Sequence, residues 1–360
     1  MVGNYKLYKS LEQITETVHC VVTSPPYFNL RNYGESSLEI GQEKTVDDYC
    51  KNLVNVFNKI PLHEKGSIWV NIGDKRGKDG GLLCASEKFM LKMMESGWLL
   101  MDRVIWAKIV DSDDGQTLGG CMTEPAENRL NGNGYEFVYR FAKTKDAWFD
   151  PQAVAIPRRE KKTRGRPKIL RHLPKELMKV ETSIEGRNLH NVWRVDMGQT
   201  NKKHYAVYPL ALCERPIAMS CPMKVCSTCG HLESRIIKKV EYDEDRSSKR
   251  VFGKYNSIDP DMKRSKIKEI SGRTDVGSKY IPRKPITTGW TSCDHKERSP
   301  GIVLDPFCGS GSTGEVALKM GRSFIGIDIY DQFLNMTKER CEETIEFMNS
   351  NLIDPWKLKR

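Results

Sequence analysis

The stretch that decides the fold is Ile302-Val303-Leu304-Asp305-Pro306-Phe307-Cys308-Gly309-Ser310-Gly311-Ser312-Thr313, which a second apolar run, 323–327, and Asp328 follow. An apolar run, a glycine-rich turn, a helical segment and another apolar run predict a strand–turn–helix–strand unit of an α/β sheet. Gly309 and Gly311 let the backbone turn sharply and approach a ligand closely. Asp328, at the end of the second predicted strand, suits a pair of ribose hydroxyls.

The ligand predicted for this turn is a nucleoside without phosphates. The turn has no Gly-Lys-Ser/Thr phosphate loop. It does have two carboxylates, Asp305 and Asp328, which can accept hydrogen bonds from a cationic or hydroxylated ligand. S-adenosylmethionine fits this description. The alternative is a glycine turn with only a structural role.

A second motif, Thr23-Ser24-Pro25-Pro26-Tyr27, follows the apolar run 18–22 near the N-terminus. Two consecutive prolines hold φ near about −65° and remove two N–H donors, so the segment is rigid. The Ser24 hydroxyl and the Pro25 carbonyl can then hold the two hydrogens of an amine, and Tyr27 offers a face on which a base can stack. A proline-stiffened loop without chemistry is the alternative.

The remaining pattern predicts an α/β sheet, largely parallel, up to about residue 145. Helices are expected over 46–60 and 82–95, and strands over 67–72, 99–107 and 136–142. After residue 300 we expect a helix over 313–320, a strand over 323–327 and a helix from 331 to about 349.

The residues and the order of the two motifs resemble those of the DNA amino-methyltransferases of the N4-cytosine/N6-adenine type. The resemblance is to their β class in particular, in which the catalytic motif precedes the cofactor motif. Three further segments resemble strands of that family: 67–74, 104–108 with Trp-x-Lys, and 133–138, where Tyr135 stands in place of the frequent His. The resemblance implies a Rossmann-like sheet that binds S-adenosylmethionine and methylates a flipped base.

Carried over by position, the resemblance implies two sets of site residues. The target site would contain Ser24, Pro25, Pro26 and Tyr27, and the cofactor site Asp305, Phe307, Gly309, Gly311 and Asp328. Ser in the first position of the catalytic motif is associated with cytosine N4, and Asp with adenine N6. We therefore expect cytosine-N4 methylation in double-stranded DNA, with adenine N6 as the alternative. A cognate restriction endonuclease is a candidate partner.

Two other classes of protein are alternatives. Protein-amide methyltransferases use Asn-Pro-Pro-Tyr, but in them this motif follows the cofactor motif. A non-catalytic DNA-binding protein on a methyltransferase scaffold is the third possibility, and the intact Ser24, Tyr27, Gly309 and Gly311 argue against it.

A basic segment, 158–179, has ten Lys and Arg against two Glu in a chain of net charge +11. This concentration favours a nucleic-acid partner. Within it, Arg164-Gly165-Arg166-Pro167-Lys168 looks like an AT-hook core, which would place Arg164, Arg166 and Lys168 in a minor groove. Contacts to phosphates alone are the alternative.

Four residues predict a structural zinc site: the Cys226-x-x-Cys229 knuckle with Cys293 and His295, and Cys221 as a spare. Such a site would stabilise the polar segment 230–290 as a small zinc ribbon. Unpaired thiols or a redox pair are the alternatives. His204 is expected to be a packed histidine rather than a base.

These features divide the chain into a catalytic half (1–145), a basic recognition region (146–190), a return to the core (191–220), a polar insertion (221–300) and a cofactor half (301–360). The eleven cysteines suit a reducing compartment. The beginning of the chain has no apolar signal-peptide core, and no apolar run approaches membrane length. An intracellular protein of prokaryotic or phage type is expected, and its oligomeric state is left open.

Overall fold

The computed structural model describes residues 3–34, 36–112, 115–118, 134–157, 186–196, 209–241, 283–351 and 353. The predicted DNA-contacting residues Arg164, Arg166 and Lys168, and also His204, lie outside these ranges. The chain divides into two compact units, residues 1–235 with 290–360, and residues 236–289. Among the described helices, none has the length and apolarity needed to cross a bilayer.

The helices are α1 (Val46–Asn58), α2 (Ala85–Glu95), α3 (Leu210–Ser220), α4 (Ser312–Lys319) and α5 (Asp331–Ser350), with short 3-10 turns at Leu11–Gln13 and Pro151–Val154. The strands are β1 (Tyr5–Tyr8), β2 (Val18–Thr23), β3 (Leu62–Ile72), β4 (Leu99–Ser112), β5 (Gly115–Leu118), β6 (Tyr135–Ala142), β7 (Ile156–Pro157), β8 (Gly186–Arg187), β9 (Val192–Asp196), β10 (Val225–Cys226), β11 (Arg235–Glu241), β12 (Arg283–Trp290), β13 (Arg298–Ser299), β14 (Ile302–Asp305) and β15 (Ser323–Ile327).

The main sheet has the order β1-β15-β14-β2-β3-β6-β4-β5, and β9 also pairs with β4. The pairs from β1 to β3 are parallel, as is β4 with β9. In contrast, β6 is antiparallel to both of its neighbours, β3 and β4, and β5 is antiparallel to β4. The sheet is therefore mixed, and the first residues of β6 lie at the same edge as the last residues of β2, β3 and β14.

Helices cover both faces of the sheet, as expected for an α/β fold. One face packs against α1 and α2, and the other against α3, α4 and α5. Fully buried large side chains fill both layers: Tyr49, Leu53, Phe57, Phe89, Met93 and Phe141 on the first face, and Leu212, Ile217, Val316 and Phe324 on the second.

The helix expected over 82–95 begins three residues later than predicted, and the side chain of Asp74 explains the delay. Its two carboxylate oxygens accept hydrogen bonds from the Cys84 and Ala85 amides, at 3.0 Å each. Cys84 has a left-handed backbone conformation (φ +53°), and Leu82 bridges to Arg76 instead of entering the helix. The Asp74 carboxylate, which lies in the loop between β3 and α2, therefore decides where α2 begins.

In the second unit, β11 pairs with β12. The Thr288 hydroxyl donates a hydrogen bond to the Ile236 carbonyl (3.4 Å), which adds a side-chain link to this two-stranded ribbon.

Candidate active site

The two motifs meet at one edge of the sheet, where β2 and β14 end side by side. The Thr23 hydroxyl donates to one Asp305 oxygen (2.6 Å), and the Thr313 hydroxyl donates to the other (2.7 Å). The Phe307 amide also donates to Asp305 (3.1 Å). One carboxylate thus joins the end of β2, the turn after β14 and the start of α4.

Asp305 itself does not line the cavity at this edge. Its side chain is 1% exposed, and the three donors above occupy its oxygens. Burial raises the pKa of this carboxyl to about 6, although the hydrogen bonds from Thr23 and Thr313 oppose the shift. Two threonine hydroxyls and a backbone amide therefore occupy the Asp305 oxygens, and the assignment of Asp305 to the cofactor site stays a prediction. Asp305 organises the turn that holds the site.

A cavity of about 520 Å³ opens between the two motifs. This volume is within the range of small-molecule sites. Residues from both ends of the chain line it, among them Ser24, Pro25, Pro26 and Tyr27 on one side, and Phe307, Gly309, Ser310, Asp328, Tyr330 and Phe333 on the other.

On the cofactor side, Gly309 has a left-handed conformation (φ +49°) and its backbone lines the cavity. Asp328 accepts hydrogen bonds from the Gly309 amide (3.1 Å) and the Tyr330 amide (3.0 Å), which fix its side chain at the cavity wall. Burial raises the pKa of Asp328. Because the carboxylate remains half-buried, it can accept further hydrogen bonds from a bound sugar.

Gly311 does not line the cavity, although Ser310 and Ser312 on either side of it do, and its assignment to the cofactor site stays a prediction. It has φ +82° and begins α4, and a Cβ placed on it would lie 2.9 Å from the Cα of Thr337. Both the backbone conformation and the close approach of α5 therefore require glycine.

On the target side, contacts with residues of neighbouring elements hold the Ser24-Pro25-Pro26-Tyr27 motif in place. The Tyr49 hydroxyl of α1 donates to the Pro26 carbonyl (2.8 Å). The ring of Tyr27 lies against Gly73, where a Cβ would come within 2.7 Å of the ring atom Cε2. The hydroxyl of Ser24 is 3.4 Å from that of Tyr27. These contacts add to the restriction that the two prolines place on the backbone of the motif.

Three polar residues of the cavity region carry no site assignment from the sequence: Asn71, Lys108 and Glu136. The Glu136 carboxylate accepts from the Tyr27 hydroxyl (2.6 Å) and the Asn71 amide (2.7 Å), and it forms an ion pair with Lys108 (2.6 Å). Only about a tenth of the Lys108 and Glu136 side chains is exposed (11% and 13%). Burial and the neighbouring Glu136 charge raise the pKa of Tyr27 well above its usual range.

The strand directions explain why these residues meet. Trp106 pairs with Glu136, and Ile72 with Phe137, because β6 runs opposite to β3 and β4. Glu136 at the start of β6 therefore lies beside the end of β3 and the middle of β4. These residues lie in segments that resemble strands of the family. In the sequence, this resemblance is the signal that points to them.

The four predicted metal ligands also come together. The ligand atoms of Cys226, Cys229, Cys293 and His295 all lie within 4.8 Å of one another.

Comparisons with known proteins agree on one family. The family model for N6/N4 methyltransferases, described as DNA methylase, matches residues 18–225 and 283–339. Type II methyltransferase M.SmaI of Serratia marcescens is 22% identical over 91% of this chain and 85% of its own length. Type II methyltransferase M.XycI of Xanthomonas campestris pv. cyanopsidis is 22% identical over 94% of this chain and 84% of its own.

Among solved structures, that of the PvuII DNA methyltransferase (cytosine-N4-specific) superposes with a TM-score of 0.51 at 15% identity. The superposition covers 97% of this chain and 92% of that one, so the two chains share the same overall fold.

Proposed function

The chain belongs to the family of N6/N4 DNA methylases and is a DNA methyltransferase that uses S-adenosylmethionine to methylate an exocyclic amine; we propose that the acceptor is N4 of cytosine. The base would be turned out of double-stranded DNA into the cavity, since its amine is otherwise buried in the duplex.

One observation carries the proposal: the Asp305 carboxylate binds Thr23 and Thr313 at once and so places the two motifs around a single cavity. A methyl transfer needs donor and acceptor in contact and aligned, and this hydrogen-bonded junction fixes the relative position of their two binding sites.

The residues present fit S-adenosylmethionine. Gly309 leaves room for a ligand against its backbone, Asp328 offers carboxylate oxygens for the ribose hydroxyls, and Phe307 adds an aromatic side chain to the cavity wall. When bound, the cofactor supplies a methyl group on a positively charged sulfur.

The target motif would act on the amine. An exocyclic amine is planar and a poor nucleophile, because its lone pair is delocalised into the ring. If Ser24 Oγ and the Pro25 carbonyl each accept one of its hydrogens, they favour a tetrahedral nitrogen whose lone pair is free to attack. The nitrogen held by Ser24 and Pro25 would accept the methyl group that the cofactor supplies, and the alkylated nitrogen, which is then acidic, would release a proton to solvent.

One feature favours cytosine over adenine: Ser24 stands in the position where Asp is associated with adenine. Lys108 lines the cavity while one oxygen of Glu136 binds its ammonium, and it could donate to a ring nitrogen of either base.

The DNA would be held by the basic segment. A net charge of +11 favours association with a polyanion, and we propose that Arg164, Arg166 and Lys168 contact the minor groove. A cognate restriction endonuclease, which would cut the same sequence when unmethylated, is proposed as the partner in the cell, since the relatives are named type II methyltransferases.

The test is nucleoside mass spectrometry of DNA incubated with the protein and S-adenosylmethionine carrying a deuterated methyl group. The expected product is N4-methylcytosine. We expect Ser24→Ala to lower kcat by roughly 100-fold, which is typical for the loss of one preorganised hydrogen bond to the reacting group. The control Ser36→Ala changes a serine outside the motif and should leave kcat unchanged.

N6-methyladenine as the only product would overturn the choice of cytosine. The absence of any methylated base, while the protein still binds DNA, would instead favour a non-catalytic DNA-binding protein.

A further inference from the structure

A group of four sulfur and nitrogen ligands lies outside the active site: Cys226, Cys229, Cys293 and His295. Their ligand atoms lie within 4.8 Å of one another, although 63 residues separate Cys229 from Cys293 in the chain. Tetrahedral zinc with bonds of about 2.3 Å to sulfur requires ligand atoms about 3.8 Å apart. The ligand atoms would therefore need to move closer together by no more than about 1 Å to bind a zinc ion.

The first half of the group has the backbone of a metal-binding knuckle. The Cys229 amide donates to Cys226 Sγ (3.4 Å), and the Gly230 amide donates to the Cys226 carbonyl (3.0 Å). Gly230 has φ +71°, which allows the chain to turn back after Cys229. This turn directs both sulfurs toward the same point and supplies an N–H to one of them.

Arg298 fixes the second half. Its guanidinium donates to the carbonyls of His295 (2.5 Å) and Cys293 (3.3 Å). The same residue pairs with Cys226 through β13 and β10, which brings the two halves together. Three thiolates outweigh one divalent ion, so a loaded site would be negatively charged, and the Arg298 cation beside it would compensate.

From this geometry we infer that the chain binds one structural zinc ion through Cys226, Cys229, Cys293 and His295. Four protein ligands complete a tetrahedron and leave no open position for catalysis. The ion would stabilise the segment just before β14. There the backbone packs tightly, because a Cβ on Gly301 would lie 2.2 Å from the Pro222 carbonyl oxygen.

A second group of potential ligands, Asp74, Cys84 and Glu87, lacks this support. It has three members, and both oxygens of Asp74 already accept hydrogen bonds from the Cys84 and Ala85 amides at the start of α2. Cys84, an exposed cysteine, therefore provides a matched control.

The first experiment measures metal content by mass spectrometry of the full-length protein, purified under reducing conditions. We expect about one zinc per chain, lost in Cys229→Ser and Cys293→Ser and retained in Cys84→Ser. Zinc that remains in both ligand variants but is lost from Cys84→Ser would overturn the assignment.

The second experiment uses the wild-type chain and does not depend on whether the variants fold. After chelation, Co²⁺ should produce the visible absorption of a tetrahedral ion and a sulfur-to-metal charge-transfer band, and added Zn²⁺ should bleach both. Chelation should also lower the melting temperature, and zinc should restore it. A chain that melts cooperatively without zinc and produces no such Co²⁺ spectrum would refute the site.

Discussion

At the scale of a single residue, Asp305 both joins the two motifs of the site and affects the stability of the fold. Both oxygens of its buried carboxylate accept hydrogen bonds. Its pKa of about 6 lies above the ordinary 3.8, so the folded protein binds this proton more tightly than the unfolded chain. The resulting stabilisation is complete below about pH 4 and is lost as pH rises through 6.

Asp305→Asn should remove this dependence. From pH 4 to pH 7 the variant's free energy of unfolding should improve relative to wild type by about 2 kcal/mol, which is most of the equivalent of the pKa shift. Urea unfolding of both proteins across this range measures the difference. In Thr23→Val, which lacks a hydrogen bond that lowers the pKa, the loss of stability should shift to higher pH. A pH-independent difference between Asp305→Asn and wild type would contradict the argument.

Glu136 is a positioning residue in the proposed mechanism, because it binds Tyr27, Asn71 and Lys108 together. Glu136→Gln should lower kcat by about 10–100-fold, since the ion pair is lost and Tyr27 is no longer held by a charge-assisted hydrogen bond. Steady-state kinetics with DNA and with S-adenosylmethionine as the varied substrate test this prediction.

Glu39→Gln is the matched control, because Glu39 holds Tyr330 at the cofactor side through a similar bond (2.6 Å). We expect this variant to raise KM for S-adenosylmethionine with little change in kcat. If both variants gave the same pattern, Glu136 would have no special role in placing the base.

The turn between β14 and α4 shows at the scale of an element how backbone geometry restricts sequence. Gly311→Ala should destabilise the fold by about 2 kcal/mol or more, because alanine disfavours positive φ and its methyl group would press on Thr337. Gly80→Ala separates these two causes. Gly80 has nearly the same φ (+83°), but no atom lies within 4 Å of the position that its Cβ would take. Equal losses in thermal unfolding would show that the contact with Thr337 is unimportant.

Local patterns predicted most elements well. The apolar runs at β2, β14 and β15 and the helical spacing of α1 each reflect one buried face, so the sequence was sufficient for them. The start of α2 was not predicted, because it depends on Asp74, ten residues before Cys84. The direction of β6 was not predicted either, since strand pairing is decided by distant parts of the chain.

The same distinction applies to the site. Ser24, Tyr27, Gly309 and Asp328 occur in recognisable motifs, and all of them line the cavity. The burial of Asp305 depends on two threonines that are 290 positions apart, and the Glu136 network depends on the antiparallel β6. Neither arrangement has a local signature.

At the scale of the whole molecule, the charge distribution should control DNA binding. Replacing Arg164, Arg166 and Lys168 together by Ala should weaken binding and reduce the slope of log K against log salt by about 2.7, if each cation releases one counterion. Fluorescence anisotropy over a salt series measures this slope. Lys51→Ala, at a surface cation already paired with Asp47 (2.7 Å), should leave it unchanged.

The hydrogen bond between Thr23 and Asp305 spans 282 positions of the chain. During synthesis, at about 5–20 residues per second, the cofactor turn at Asp305 is made many seconds after the target motif at Thr23. Fragments that end before β14 will therefore carry the target motif without the ability to modify any base. Only chains that include β14 and the turn after it can bring the two motifs together, so premature termination or proteolysis that removes this segment abolishes methylation completely.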